Sequence, residues 1–222
     1  EPAGQTVADA WGGSRYLWHL MLAERGYIVV SVDNRGTPAP RGRAWRKSIY
    51  RQVGILASAD QAAAVRAIGA WPDVDAGRVG VWGWSGGGSM TLNALFRYPE
   101  LYHVGVSVAA VPDQHLYDSI YQERYMARPA DNPEGYAQGS PITFAHQLKG
   151  QLLVVHGTGD DNVHYQGFER LVVDHPFYPA RNYRFGFGGG GILVGVYPGD
   201  LLADRDQLAQ VGVQAGATAG GA

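Results

Sequence analysis

The chain has 222 residues, 45% of them hydrophobic, enough to bury a substantial core as one α/β domain. Eighteen Lys and Arg against 20 Asp and Glu give a formal charge of −2 with no basic block, which argues against nucleic acid or an anionic membrane as partner. The lack of cysteine excludes thiol catalysis, disulfides and thiolate metal sites together, and no apolar run approaches the ~20 residues that span a bilayer.

Residues 1–13 show no periodic pattern, and Glu1 in place of Met suits a processed or partial chain. Ser14 is placed to cap a helix whose apolar stripe is Leu17, Leu20 and Met21, and Gly26 to end it. Tyr27 to Val32 is short, β-branched and nearly continuous in apolar character, which predicts a buried parallel strand with Asp33-Asn-Arg-Gly36 opening the loop at its carboxyl end. The Gly/Pro/Arg-rich segment 36–47 reads as a surface loop. The alanine-rich run from Ile55 to Ala70 predicts a helix stopped at Trp71-Pro72.

Val79, Val81 and Trp82 then predict a buried strand, and Met90 to Phe96 a helix that Pro99 ends. Between them stands Gly83-Trp84-Ser85-Gly86-Gly87, the G-x-S-x-G pattern of a nucleophile elbow, which holds a serine on a tight strand-to-helix turn above the sheet. The bare pattern arises readily in a chain with 32 glycines, and a glycine-rich turn is the alternative; the strand–turn–helix setting gives it meaning. A Cβ at 83 or 87 is expected to collide where strand and helix backbones approach. Val104, Val106 and Val108 predict the next strand, Asp113 to Met126 a helical segment, Asp131 to Ser140 a loop, and Leu152 to Val155 a further buried strand. Alternating strands and helices imply right-handed crossovers and a mostly parallel sheet covered on both faces. Function collects at the carboxyl ends of such strands, where Ser85 and Asp160 both fall.

A serine hydroxyl needs a base to take its proton and a carboxylate to orient that base. Asp160, on the loop after a later strand, suits the carboxylate role; Asp161 competes with it, and a solvated turn would also explain the two acids. Histidines 19, 103, 115, 146 and 156 read as packed or surface residues. No pair of His or Cys has ligand spacing, so neither metal nor cofactor is expected. From about Val173 the character changes: residues 1–185 form the expected catalytic unit, and 186–222 a Gly/Ala-rich tail, with a weak strand candidate at Ile192 to Tyr197, expected to be poorly ordered.

Four segments in order, Gly83-Trp-Ser-Gly-Gly-Gly88, Tyr117-Asp-Ser-Ile-Tyr-Gln-Glu-Arg-Tyr-Met126, Asp131-Asn-Pro-Glu-Gly-Tyr136 and His156-Gly-Thr-Gly-Asp-Asp-Asn-Val-His-Tyr-Gln166, resemble the catalytic domain of the prolyl oligopeptidase family, in its dipeptidyl-peptidase-IV-like branch. The resemblance implies an α/β-hydrolase serine peptidase acting on peptides, with Ser85 the nucleophile, Asp160 the orienting acid and the Gly86 N–H an oxyanion donor. It also implies that Val111, Tyr117, Tyr121 and Val163 line the pocket for the residue before the scissile bond, a ring-and-valine slot suited to proline, while Asn162 holds substrate backbone. A periplasmic or extracellular location is favoured by it, and a homo-oligomer is left open.

Several positions depart from the family pattern. Gly86 stands where tyrosine is usual and Gln114 where the branch often has an aromatic, both expected to loosen the pocket. The family's oxyanion tyrosine, first strands and β-propeller lie upstream of the matched region. His164 belongs to the aspartate motif, His175 comes early for the base, and Tyr178-Pro-Ala-Arg-Asn-Tyr183 resembles the family's histidine segment with Tyr183 at the histidine position. Tyrosine, with a pKa near 10, is a poor base at neutral pH. Three readings follow: a peptidase cleaving after proline or alanine, impaired in its base; an esterase or other acyl hydrolase on the same fold; and a non-catalytic partner-binding module.

Overall fold

The computed structural model describes residues 7, 11, 13–38 and 41–174, with the backbone of two further strands, 181–187 and 190–197. The first half supplies α1 (Ser14–Glu24), α2 (Gly42–Lys47) and α3 (Leu56–Ile68). The strand–helix units follow: β1 (Gly80–Trp84), α4 (Gly86–Arg97) and β2 (Val104–Val108). After β2 come a 3-10 turn at Gln114–Leu116, α5 (Ser119–Met126), α6 (Pro133–Gly139), a 3-10 segment at Pro141–Gln147, and β3 (Gln151–Gly157). Helix α7 (Tyr165–Asp174) leads to β4 (Arg181–Phe187) and β5 (Gly190–Tyr197).

The sheet order is β1-β2-β3-β5-β4. β1, β2 and β3 run parallel, with Gly80 opposite Val104 and Val104 opposite Gln151, while β5 is antiparallel to both β3 and β4. The parallel part comes from the crossover units, and the antiparallel hairpin extends it on the β3 side. The boundary expected at residue 185 falls inside β4, and β5 contains the strand candidate Ile192 to Tyr197; residues 198–222 lie outside the described residues.

One face of the parallel sheet is closely packed. Gly105 sits under α4, where a Cβ would come within 2.1 Å of Leu95 Cδ1, and Leu152 and Val154 continue that face in register with Gly105 and Ser107. Leu92, Leu95 and Phe96 of α4 join Phe168 and Leu171 of α7 in one fully buried cluster there. The other face meets α1 through His19, whose ring lies edge-on to Trp82 at 6.0 Å. Among the described residues, no helix is long and apolar enough to cross a membrane.

Three sequence expectations are corrected besides the Ser14 cap, whose place Gly13 takes, and the burial of β1, in which Gly80, Trp82 and Trp84 are exposed. Tyr27 to Val32 pairs with no strand among the described residues, and Tyr27, Ile28 and Val30 are exposed. β-branched residues favour a strand only where a neighbouring edge receives it. The end of this segment is instead tied to α3: Gln61 Nε2 donates to the Val32 carbonyl at 2.8 Å, and Arg35 forms a bidentate pair with Asp60, whose pKa that hydrogen bonding lowers. Segment 36–47 is not wholly a surface loop, since Gly36 and Thr37 are buried and residues 42–47 are helical. Gly36, at φ 90, leaves no room for a Cβ, which would come within 2.6 Å of Ile49 Cγ1.

The third correction is the expected loop at 131–140, most of which is α6. Asn132 is its N-cap and Pro133 its first residue, a pairing that favours helix initiation. Asn132 Oδ1 accepts from the Gly135 N–H at 3.2 Å, while Nδ2 donates to the carbonyls of Met126 at 2.9 Å and Arg51 at 3.1 Å. One side chain therefore joins three chain segments around the second core of Ile49, Val53, Met126 and Tyr136. Asn132→Ala removes the cap and strands two carbonyls, so stability should fall by about 2–3 kcal/mol. The measurement is urea unfolding, with a lower midpoint and an unchanged slope expected.

Candidate active site

The candidate site is built on the junction of β1 and α4. Ser85 has φ 55 and ψ −119, a left-handed φ for a residue with a side chain. Two backbone bonds hold it: its N–H donates to the Val108 carbonyl at 2.8 Å, and its carbonyl accepts from the Ser89 N–H at 3.0 Å. The helix starts at Gly86, four residues before the predicted Met90, because the glycines themselves form its first turn. The Gly86 N–H is among the four at a helix start that lack an intrahelical acceptor.

The glycines divide differently from the sequence expectation. A Cβ on Gly83 would lie 2.2 Å from the Gly87 carbonyl oxygen, so position 83 is sterically closed. Gly87 is open, with nothing within 4 Å of the place a Cβ would take, and its own backbone is what crowds Gly83. Gly88 is the second closed position, with a Cβ there 2.7 Å from the Val108 carbonyl oxygen. Sequence reasoning overlooked Gly88; the third glycine after the serine was its one signal. It also missed Ala109, one of four described non-glycine residues at positive φ (47), whose N–H donates to the Val155 carbonyl at 2.8 Å just beyond β2. Strained residues of this kind concentrate at functional sites.

Asp160 lies on the loop after β3, two strands along the sheet from β1, whose end carries Ser85. Its Oδ1 accepts from the N–H groups of Asn162 at 3.0 Å and Val163 at 2.9 Å, so the carboxylate orders its own turn. Oδ2 lies 3.8 Å from His156 Nε2. That ring nitrogen sits 2.7 Å from the Val163 carbonyl, and because a carbonyl can only accept, Nε2 carries the proton. His156 is buried against Phe168 and Tyr165, in keeping with its reading as a packed residue, and closes the turn from below. Asp161 and His164 are exposed.

The expected pocket residues follow the carboxyl ends of β2 and β3, in two loops and, for Tyr121, in α5. Val111 is buried, and its N–H donates to Ser89 Oγ at 2.9 Å on the first turns of α4. Tyr117 donates its hydroxyl to Asn162 Oδ1 at 3.2 Å and stands edge-on to Tyr121 with ring centroids 5.5 Å apart. Val163 is buried under the Asp160 turn. Gln114, expected to loosen the pocket, is instead buried in the body: its N–H donates to Ser140 Oγ at 2.8 Å, its Nε2 to the Gly139 carbonyl at 3.3 Å, and its Oε1 accepts from Gln122. His175 lies outside the described residues, and the Tyr183 backbone runs within β4, opposite Val194.

A serine at positive φ between a parallel strand and its helix, with an acid at the end of a later strand, defines a chain of the α/β-hydrolase class. Within that class, residues 15–174 match the model of the prolyl oligopeptidase family, and the chain belongs to that family. It is 46% identical in sequence to the crystal structure of Porphyromonas gingivalis dipeptidyl peptidase 4, with a TM-score of 0.72 over 78% of this chain and 24% of that one. It is also 38% identical to dipeptidyl peptidase 4 of Trichophyton equinum over 170 residues, covering 74% of this chain and 22% of the relative. The chain thus spans about a fifth of the length of the curated relatives it matches.

Gly83→Ala and Gly87→Ala should separate sharply. The first forces the β1 and α4 backbones apart and should cost more than about 3 kcal/mol or prevent folding, as severe overpacking does. The second gains helix propensity, up to about 1 kcal/mol, at an open position. Thermal or urea unfolding of the two variants beside the parent checks the contrast.

Proposed function

We propose that this chain carries the acyl-transfer site of a serine peptidase that hydrolyses peptide bonds after proline or alanine. The supporting observation is the strained Ser85 at the head of α4, across the end of β2 from Asp160. Ser85 Oγ attacks the scissile carbonyl, the Gly86 N–H donates to the developing oxyanion, and the carboxylate of Asp160 orients the base. Val111, Val163 and the rings of Tyr117 and Tyr121 bury the pyrrolidine, while Asn162 accepts or donates to substrate backbone.

The base is the weak member of this site. Tyr183 at the family's histidine position stays protonated at neutral pH, so Ser85 is expected to be poorly activated. Loss of a triad member leaves only about 10³–10⁴-fold acceleration over water. The esterase alternative drew on Gly86 and Gln114 opening the site; with Gln114 turned into the body, only Gly86 still favours it.

The test combines covalent labelling with turnover. A fluorophosphonate should label Ser85 slowly in the parent and faster in Tyr183→His, and leave Ser85→Ala unlabelled; no labelling of either the parent or Tyr183→His would remove the serine-hydrolase reading in favour of the non-catalytic module. Xaa-Pro amide hydrolysis should be slow in the parent and rise in Tyr183→His. Turnover at an ordinary ~1–10³ s⁻¹ in the parent, abolished by His175→Ala, would assign the base to His175 instead. Preference for short acyl esters over Xaa-Pro amides would favour the esterase.

A further inference from the structure

The proposed pocket is shared between two loops that come from different strands, one after β2 carrying Val111 and Tyr117, the other after β3 carrying Asp160, Asn162 and Val163. Three contacts bind the first loop to the second and to the helix that follows it. Tyr117 donates to Asn162, as described. Gly167 of α7 lies against Pro112, where a Cβ would come within 3.1 Å of Pro112 Cδ. The third contact is ionic: Arg170 of α7 donates from a terminal guanidinium nitrogen to Asp113 Oδ2 at 2.9 Å.

Both carboxylate oxygens of Asp113 are engaged. Its Oδ1 accepts from the His115 N–H at 3.0 Å and from His115 Nδ1 at 2.8 Å, and the residue is buried. A carboxylate taken out of water is stable only with such partners, and a charge-assisted bond to guanidinium is among the strongest available. The Asp113 side chain is 9% exposed and that of Arg170 46%, so the anchor end of the pair is fixed and the arm end can still exchange with water. On its far side the first loop is fastened independently, by the Ile142 N–H to the Pro112 carbonyl at 3.0 Å and by Gln114 to Ser140. Loss of the ion pair therefore leaves that loop fastened on its far side and loosens its hold on α7, where the Pro112–Gly167 contact remains.

We infer that the Asp113–Arg170 pair is a positioning latch that sets the distance between the Tyr117 and the Asn162–Val163 sides of the pocket, and so its selectivity for a proline ring. This inference rests on the serine-peptidase reading above. Neither residue touches the reacting atoms in that reading; each acts through the loop it holds.

The experiment compares the parent with Asp113→Asn, Arg170→Gln, Arg170→Lys and the double variant Asp113→Asn/Arg170→Gln. Each is labelled with a fluorophosphonate, which needs an activated Ser85 but not the proline pocket, and with an aminoacyl-proline diphenyl phosphonate, which also needs the pocket. The proline probe should slow by about tenfold in Asp113→Asn and Arg170→Gln, with no further loss in the double variant, while fluorophosphonate labelling changes little. Arg170→Lys keeps the charge and should recover most of the rate. Equal slowing with both probes, or additive losses in the double variant, would overturn the latch.

Amide hydrogen exchange provides a readout that does not need a reactive serine. Each single variant should speed exchange in both 113–118 and 157–164, and faster exchange confined to the substituted side would overturn the proposal. Resistance to both probes in the parent and in Tyr183→His alike would sink the serine-peptidase reading and with it the selectivity role, whereas the exchange pattern would still decide whether the two loops are latched.

Discussion

The hydrogen bond from the Ser85 N–H to the Val108 carbonyl is the constraint on which the site depends. It extends the β1–β2 ladder one residue past Trp84 and holds the serine in a backbone conformation that would otherwise cost of order 1–3 kcal/mol. The cost is offset around it. Gly83 lets α4 start directly over the strand, Gly88 lets its first turn lie against the Val108 carbonyl, and Ser107 Oγ donates to the Gly88 carbonyl at 3.1 Å. The buried side of α4, from Leu92 to Phe96, then supplies the packing that no local interaction at the turn could provide.

The four long motifs serve different physical ends. Gly83 to Gly88 is chemistry and sterics together. Asp131 to Tyr136 is structural: Asn132 caps α6, Gly135 fits only without a side chain because a Cβ would come within 2.5 Å of the Arg51 carbonyl, and the Tyr136 hydroxyl donates to the Ala127 carbonyl at 2.9 Å. In the segment 117–126 Tyr117 and Tyr121 stand edge-on to each other, while Asp118 caps α5 through the Tyr121 N–H at 2.8 Å. In the segment 156–166 His156 and Asp160 shape one turn before either could take part in catalysis.

What the sequence made legible follows from how local each signal is. β1, β2 and β3 stand within a residue or two of their predicted places, since β-branched runs between turn formers need no distant information. Ser85 and Asp160 could be placed at strand ends for the same reason. Tyr27 to Val32 has the same local signal and forms no ladder, because pairing requires a partner edge that the segment itself cannot supply. The helix at 133–139 was hidden behind Asn, Pro and Gly read as turn formers, although Asn-Pro is also how a helix begins. The Asp113–Arg170 pair joins residues 57 apart with no shared periodicity, and Gln114 shows that a substitution read as opening a pocket can simply point elsewhere.

β1 stands at one end of the described sheet, with β2 on one side and no described strand on the other. Among the described residues its outer backbone groups meet no strand, and the exposed residues of the strand itself, Gly80, Trp82 and Trp84, include none of the lysines or prolines that usually guard an edge. Ser85 follows directly on that strand. Any extended chain that docked there by strand addition, a second copy included, would lie alongside the elbow, so self-association through this edge and occlusion of the serine would be a single event that dilution reverses.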